Sequence, residues 1–226
     1  MTISKRGIQM LAVPISFVSL LISASSLACG GDWYPEVQID PRIRGVAEAE
    51  KTLAKGNYVA AAGSVVRMIP QIETLGGNSR DPLLARAARV LSLAIVRQGG
   101  KLSLERELPI ELFGHWLGKS KLDQSKNLAW SVDTLRRQLS VRKDEPGLMT
   151  ELAEALSKVD GGQDEARTIL ESLAARDLVG SPQGYQVLAE LRRQKGDDAG
   201  QKLALKRCVS MASGSKVCEP SAPRAS

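Results

Sequence analysis

Residues 152–173 read "LAEALSKVDGGQDEARTILESL". Leu152, Ala153 and Leu156 recur at helical spacing, Gly161 interrupts, and Ala166, Leu170 and Leu173 resume the spacing beyond it. Two short amphipathic helices joined by a tight turn satisfy that pattern; strand alternation does not. Small residues such as Ala153 and Ala166 let two helix backbones approach closely, while leucines at helical spacing fill the seam. A helical pair of this size cannot bury its apolar face alone, so it calls for neighbours of the same kind.

The neighbours are legible. Residues 47–68, "AEAEKTLAKGNYVAAAGSVVRM", carry a turn at Gly56-Asn57-Tyr58 followed by Ala61, Val65 and Met68. Near the C-terminus Leu188 and Ala189 precede a Gly196-Asp197 turn, with Gln201 where a small residue is wanted. Residues 82–98, "PLLARAARVLSLAIVRQ", place Leu91, Ser92 and Ile95 before Gly99. The partner of that helix is displaced by an insertion of about 101–121 and resumes at 125–139, with Ala129, Val132, Leu135 and Leu139 expected on one face. Four helix starts share one device: Asp40-Pro41, Asp81-Pro82, Glu145-Pro146 and Ser181-Pro182, spaced 41, 64 and 36 residues apart. Proline is tolerated at the first helical position, and Asp or Ser before it can accept a bond from the orphan backbone donors.

On these residues the units resemble the tetratricopeptide repeat, an antiparallel helical pair of about 34 residues. The resemblance implies an all-α fold: degenerate tetratricopeptide-like hairpins stacked into a short solenoid, one unit carrying the insertion. The units would run 41–80, 81–145, 146–180 and 181–212, with a tail at 213–226. Stacks of this kind work by binding proteins rather than by catalysis.

The N-terminus carries a different signal. Lys5 and Arg6 precede an apolar run, Ile8 to Leu21, broken by Gln9, Pro14 and serines, and a mostly small-residue segment, Ser23 to Ala28, leads to Cys29. Residues 1–28 thus have the layout of a secretory signal peptide, and the run is short for a membrane-spanning helix. Cleavage before Cys29 resembles processing of a bacterial lipoprotein, with Cys29 as the lipidated residue and 29–40 as a tether. The pattern departs in having Ser26 three residues and Leu27 two residues before Cys29, where lipoproteins prefer Leu and then a small residue. A soluble periplasmic chain with a free Cys29 thiol therefore stays open. Cys208 and Cys218, with nine residues between them, are expected to pair in an oxidising compartment, which leaves Cys29 as the odd thiol that lipidation would explain. Gly30-Gly31 supplies no Asp after the cysteine, so the analogy favours the outer membrane.

Chemistry is harder to find. "GHWLGKS", residues 114–120, has three residues between its glycines where a phosphate-binding loop needs four. "GLM", residues 147–149, resembles a motif of soluble lytic transglycosylases, yet no Glu lies between Glu111 and Glu145 to act upstream of it. His115 is the one histidine and stands without a Cys or His cluster, so neither a triad nor a metal centre has its parts. No cofactor is implied, and an enzyme is not expected. A carboxylate-only cell-wall hydrolase would have to use Glu105, Glu107 or Glu111 in the insertion. Removing residues 1–28 deletes Lys5 and Arg6 and no acids, lowering the formal charge from +6 to +4, too mild for a nucleic-acid binder. No small-molecule substrate is evident either. The expected partners are a protein or peptide of the envelope, and the membrane through Cys29. Arg86, Arg89, Arg192 and Arg193 are the candidate partner-binding cations; Trp33 and Tyr34 would lie near the membrane interface or pack on the first unit.

Overall fold

The computed structural model describes residues 40–72, 81–102, 104, 121–212 and 216–218. The chain divides into two units, residues 1–38 and 39–226, and all described residues belong to the second. Cys29, Trp33, Tyr34, Glu105, Glu107, Glu111 and His115 lie outside the described residues.

Among the described residues every regular element is helical. They are α1 (Pro41–Ala54), α2 (Tyr58–Met68), α3 (Pro82–Arg97), α4 (Lys121–Val141), α5 (Pro146–Leu156), α6 (Gln163–Ala174), α7 (Pro182–Gln194), α8 (Asp198–Met211) and a closing 3-10 turn, Lys216–Cys218. None of the described helices is long and apolar enough to cross a membrane.

The four proline starts open the four odd-numbered helices. The side chain of Asp40 accepts from the Arg42 N–H, that of Asp81 from Leu83 and that of Ser181 from Gly184, whereas Glu145 makes no such bond. A glutamate is one methylene too long for the cap geometry that Asp and Ser fit. Helix ends repeat a device as well. Gly56 and Asn57 donate to the Leu53 and Thr52 carbonyls, and Gly196 and Asp197 donate to those of Arg193 and Arg192. Both are the paired back-bonds that satisfy orphan carbonyls and turn the chain into its return helix.

Each helix packs on the next in sequence, and α1 also touches α3, α3 touches α5, and α5 touches α7. The apolar interior has two parts. One gathers α1, α2 and most of α3, together with Leu102 and Leu104; the other runs from Val96 through α4 to α8. Alanines 61, 153 and 166 are fully buried at the helix seams, in keeping with their small size.

Two local expectations are corrected. Helix α4 begins at Lys121, and its Ala129 faces solvent; the buried apolar stripe is Leu128, Val132 and Leu135. A second stripe, Asn127, Ser131, Thr134 and Gln138, is also buried, because Asn127 Nδ2 donates to the Gly100 carbonyl (3.0 Å) and Gln138 Nε2 to that of Ala85 (2.8 Å). Polar side chains are stable inside when they close bonds of this kind. On α8, Gln201 is half-buried, and Ala204 supplies the small inward residue.

Cys208 and Cys218 are joined by a disulfide, with their Cα atoms 5.7 Å apart. Closing this short loop stabilises the fold by about 2–3 kcal/mol on the chain-entropy argument. Cys208→Ala/Cys218→Ala should therefore be less stable by that amount in urea melts, with helical circular dichroism retained at zero urea.

Candidate functional site

The odd-numbered helices form a continuous line of contacts, and their polar side chains tie that line together. Arg86 of α3 donates twice to Glu50 of α1, at 3.0 and 2.6 Å. Arg89 of α3 donates twice to Glu151 of α5, at 2.5 and 2.7 Å, and lies 3.7 Å from Glu145. Arg97, at the end of α3, donates to Glu154 of α5 at 3.1 Å. Ser181 Oγ, while capping α7, donates to the same Glu154 carboxylate at 2.7 Å. Glu154 thus joins α3, α5 and the start of α7.

The four arginines expected to meet a partner are all engaged within the chain. Arg86 and Arg89 are inter-helix ties. Arg192 donates to Glu171 of α6 and to the Gly200 carbonyl at the start of α8, and Arg193 donates to Glu190 one turn earlier on α7. Arg192 holds the Glu171 carboxyl below its ordinary value, and Arg193 does the same to Glu190.

Glu151 behaves oppositely. Burial, opposed by the Arg89 guanidinium, pushes its pKa above the ordinary 4.5. A raised acid binds its proton more tightly folded than unfolded. Its contribution to stability is therefore full below pH 4.5 and lost as pH rises through the folded value. Glu151→Gln, which does not titrate, should gain stability relative to the native chain as pH rises from 4 through that window, read from paired urea melts at each pH.

Beside the Arg97–Glu154 pair lies a groove of about 260 Å³ to which all four helical pairs contribute. Tyr58, Val96, Arg97, Glu154 and Lys158 line it. Gln183, Gln186 and Val187 of α7 and Val217 of the closing turn complete the lining. A second cleft, about 330 Å³ between α6 and α7, is lined by Gln163, Asp164, Arg167, Leu191, Gln194 and Lys195, with Arg167 and Lys195 both paired to Asp164. The first groove alone of the two draws on all four helical pairs, and is the better candidate.

Reading the sequence for cations missed this groove, because its character comes from neutral residues. Gln183, Gln186 and Val187 stand at i, i+3 and i+4, the spacing of one helix face, and that spacing was the available signal. Val217 had none, since it lies on the closing turn, outside any helical pattern. Among the described residues no three His, Cys, Asp or Glu side chains are grouped to hold a metal. Comparison with protein-family models, curated proteins and solved structures finds no match.

Proposed function

We propose that the protein is an exported protein-binding scaffold of a bacterial cell envelope, anchored in the outer membrane by a lipid on Cys29. Its helical pairs stack as a short tetratricopeptide-like solenoid, a form supported by the first-helix contacts α1–α3–α5–α7. The observation that carries the binding function is the groove shared by all four pairs. Its occupant is an extended peptide segment of a partner protein. Such a backbone has unpaired N–H and C=O groups, and the amide of Gln183 offers both a donor and an acceptor to meet them. Val96, Val187 and Val217 suit a small apolar side chain between those bonds. Arg97 in the lining is already neutralised by Glu154, so the site selects shape and backbone rather than strong charge.

Export is supported by the disulfide, since such bonds persist in oxidising compartments. Intact mass of the chain from a membrane fraction tests the anchor. A mass exceeding the chain from Cys29 by diacylglycerol and a fatty acid is expected; an unmodified chain beginning at Cys29 would sink the anchor and leave a soluble periplasmic protein. For binding, a photo-crosslinking residue at position 186 should yield a discrete protein adduct in cells, while the same residue at position 136, on exposed α4 surface, should not. Equal labelling from both positions, or none from 186, overturns the groove as the site.

A further inference from the structure

We infer that the outer face of α8 docks on an anionic lipid surface, a contact separate from the peptide groove. α8 is the last α-helix among the described residues, and its main neighbours are α7 and the closing turn. Ala204 and Cys208 are its buried side. The opposite side carries Lys202, Leu203, Lys206, Val209 and Met211, all exposed. Six large apolar side chains are exposed among the described residues, and three of them, Leu203, Val209 and Met211, stand on this one helix. Lys202 and Lys206, one turn apart, have no ion-pair partner among the described residues. Arg207 adds a third cation, 3.7 Å from Asp177. The only carboxylate within α8 is that of Asp198, its first residue. None of the residues lining the groove lies on α8.

Spacing on this face decides what covers it. A partner helix needs apolar side chains three or four residues apart, in a stripe that its own side chains can grip. Leu203, Val209 and Met211 are six and two residues apart, and around the helix the two lysines stand between Val209 and Leu203, so no stripe forms. A second copy of the chain is disfavoured as well. Two such faces would bring their lysines together with no carboxylate to answer them. A bilayer surface asks for neither stripe nor register. Lysine stems lie along apolar surface and carry their ammonium groups to lipid phosphates, while Leu, Val and Met reach the boundary of headgroups and acyl chains. The docking rests on residues of α8 and does not require the lipid on Cys29. Where the chain is anchored, the same face fixes which side of it lies against the membrane.

The test uses the mature chain from residue 29 carrying Cys29→Ser, so that no attached lipid contributes. It is sedimented at low salt with vesicles of mixed phosphatidylglycerol and phosphatidylcholine, and with vesicles of phosphatidylcholine alone. Binding about tenfold tighter or more to the anionic vesicles is expected, and molar salt should abolish it. Lys202→Glu/Lys206→Glu and Leu203→Asn/Val209→Asn should each weaken it about tenfold or more, with helical circular dichroism unchanged. Lys55→Glu/Lys126→Glu makes the same charge change at exposed positions elsewhere and should leave it within about twofold. Equal binding to both vesicles, or binding to neither, overturns the lipid surface. Unchanged affinity in either α8 variant, or an equal loss in Lys55→Glu/Lys126→Glu, overturns α8 as the docking face. A protein adduct from a photo-crosslinking residue at position 203 in cells, with no vesicle binding, would make the face a protein contact and overturn the proposal. All of these outcomes leave the peptide groove and the Cys29 anchor standing.

Discussion

Glu154→Ala should destabilise the protein by about 3–5 kcal/mol, the usual cost of removing one partner from a buried ion pair. Glu154 is 3% exposed at its side chain and Arg97 12%, so the guanidinium left behind cannot recover its hydration. Coulomb attraction at a half-exposed pair such as Arg136–Glu165 is screened by water and contributes at most about 1 kcal/mol. The Glu154 site is different because one carboxylate serves two elements. Its loss also strips the Ser181 hydroxyl of its acceptor, and Ser181 caps the helix that carries the groove's glutamines. Urea melts monitored by circular dichroism give the value. The double variant Glu154→Leu/Arg97→Met should recover most of it, since a neutral packed pair leaves no buried charge unpaired. A single variant within about 1 kcal/mol of the native chain would show that Arg97 finds water or another partner, and the hub role would fall.

Gly100→Ala should come next in size. Gly99 and Gly100 are adjacent at the end of α3, and both have positive φ, 64° and 82°. They differ in what surrounds them. A Cβ on Gly99 would meet nothing within 4 Å, whereas one on Gly100 would stand 2.6 Å from the Gln124 carbonyl oxygen of α4. Alanine at 99 therefore carries only the left-handed backbone cost, about 1–2 kcal/mol. Alanine at 100 carries that cost and must also push α4 away, adding about 1–3 kcal/mol of overpacking. The shift would strain the Asn127 bond to the Gly100 carbonyl as well. Parallel urea melts of the two variants check the ordering, and equal losses would show that α4 gives way freely.

How far the sequence foretold this arrangement varies by element. Proline starts and glycine ends are local devices, set by residues within a turn of one another, and so α1, α3, α5 and α7 could be read off with three of their four caps. The pairing of Cys208 with Cys218 followed from cysteine counting. Helix α4 was harder. Its stripe Asn127, Ser131, Thr134 and Gln138 has the spacing of a helix face, but polar residues at that spacing look like a solvated surface until the Gly100 and Ala85 carbonyls that accept from Asn127 and Gln138 are known. The same blindness affected the arginines. Arg86, Arg89 and Arg192 read as a basic surface because their carboxylates lie 36, 62 and 21 residues away in sequence. Pairings of that range depend on how the hairpins meet, which no single helix records.

The division of the interior has a consequence for how the sequence can drift. Most of α3 belongs to the first apolar cluster, but Val96 belongs to the second, and Trp130 of the otherwise second-cluster helix α4 packs against the first. The second helical pair alone answers to both cores. Substitutions in α1 and α2, or in α5 to α8, need compensating changes only among their own neighbours. A change at Val96 or Trp130 must be accommodated on two sides at once, so mutation should proceed freely toward the ends of the molecule and slowly at its middle pair.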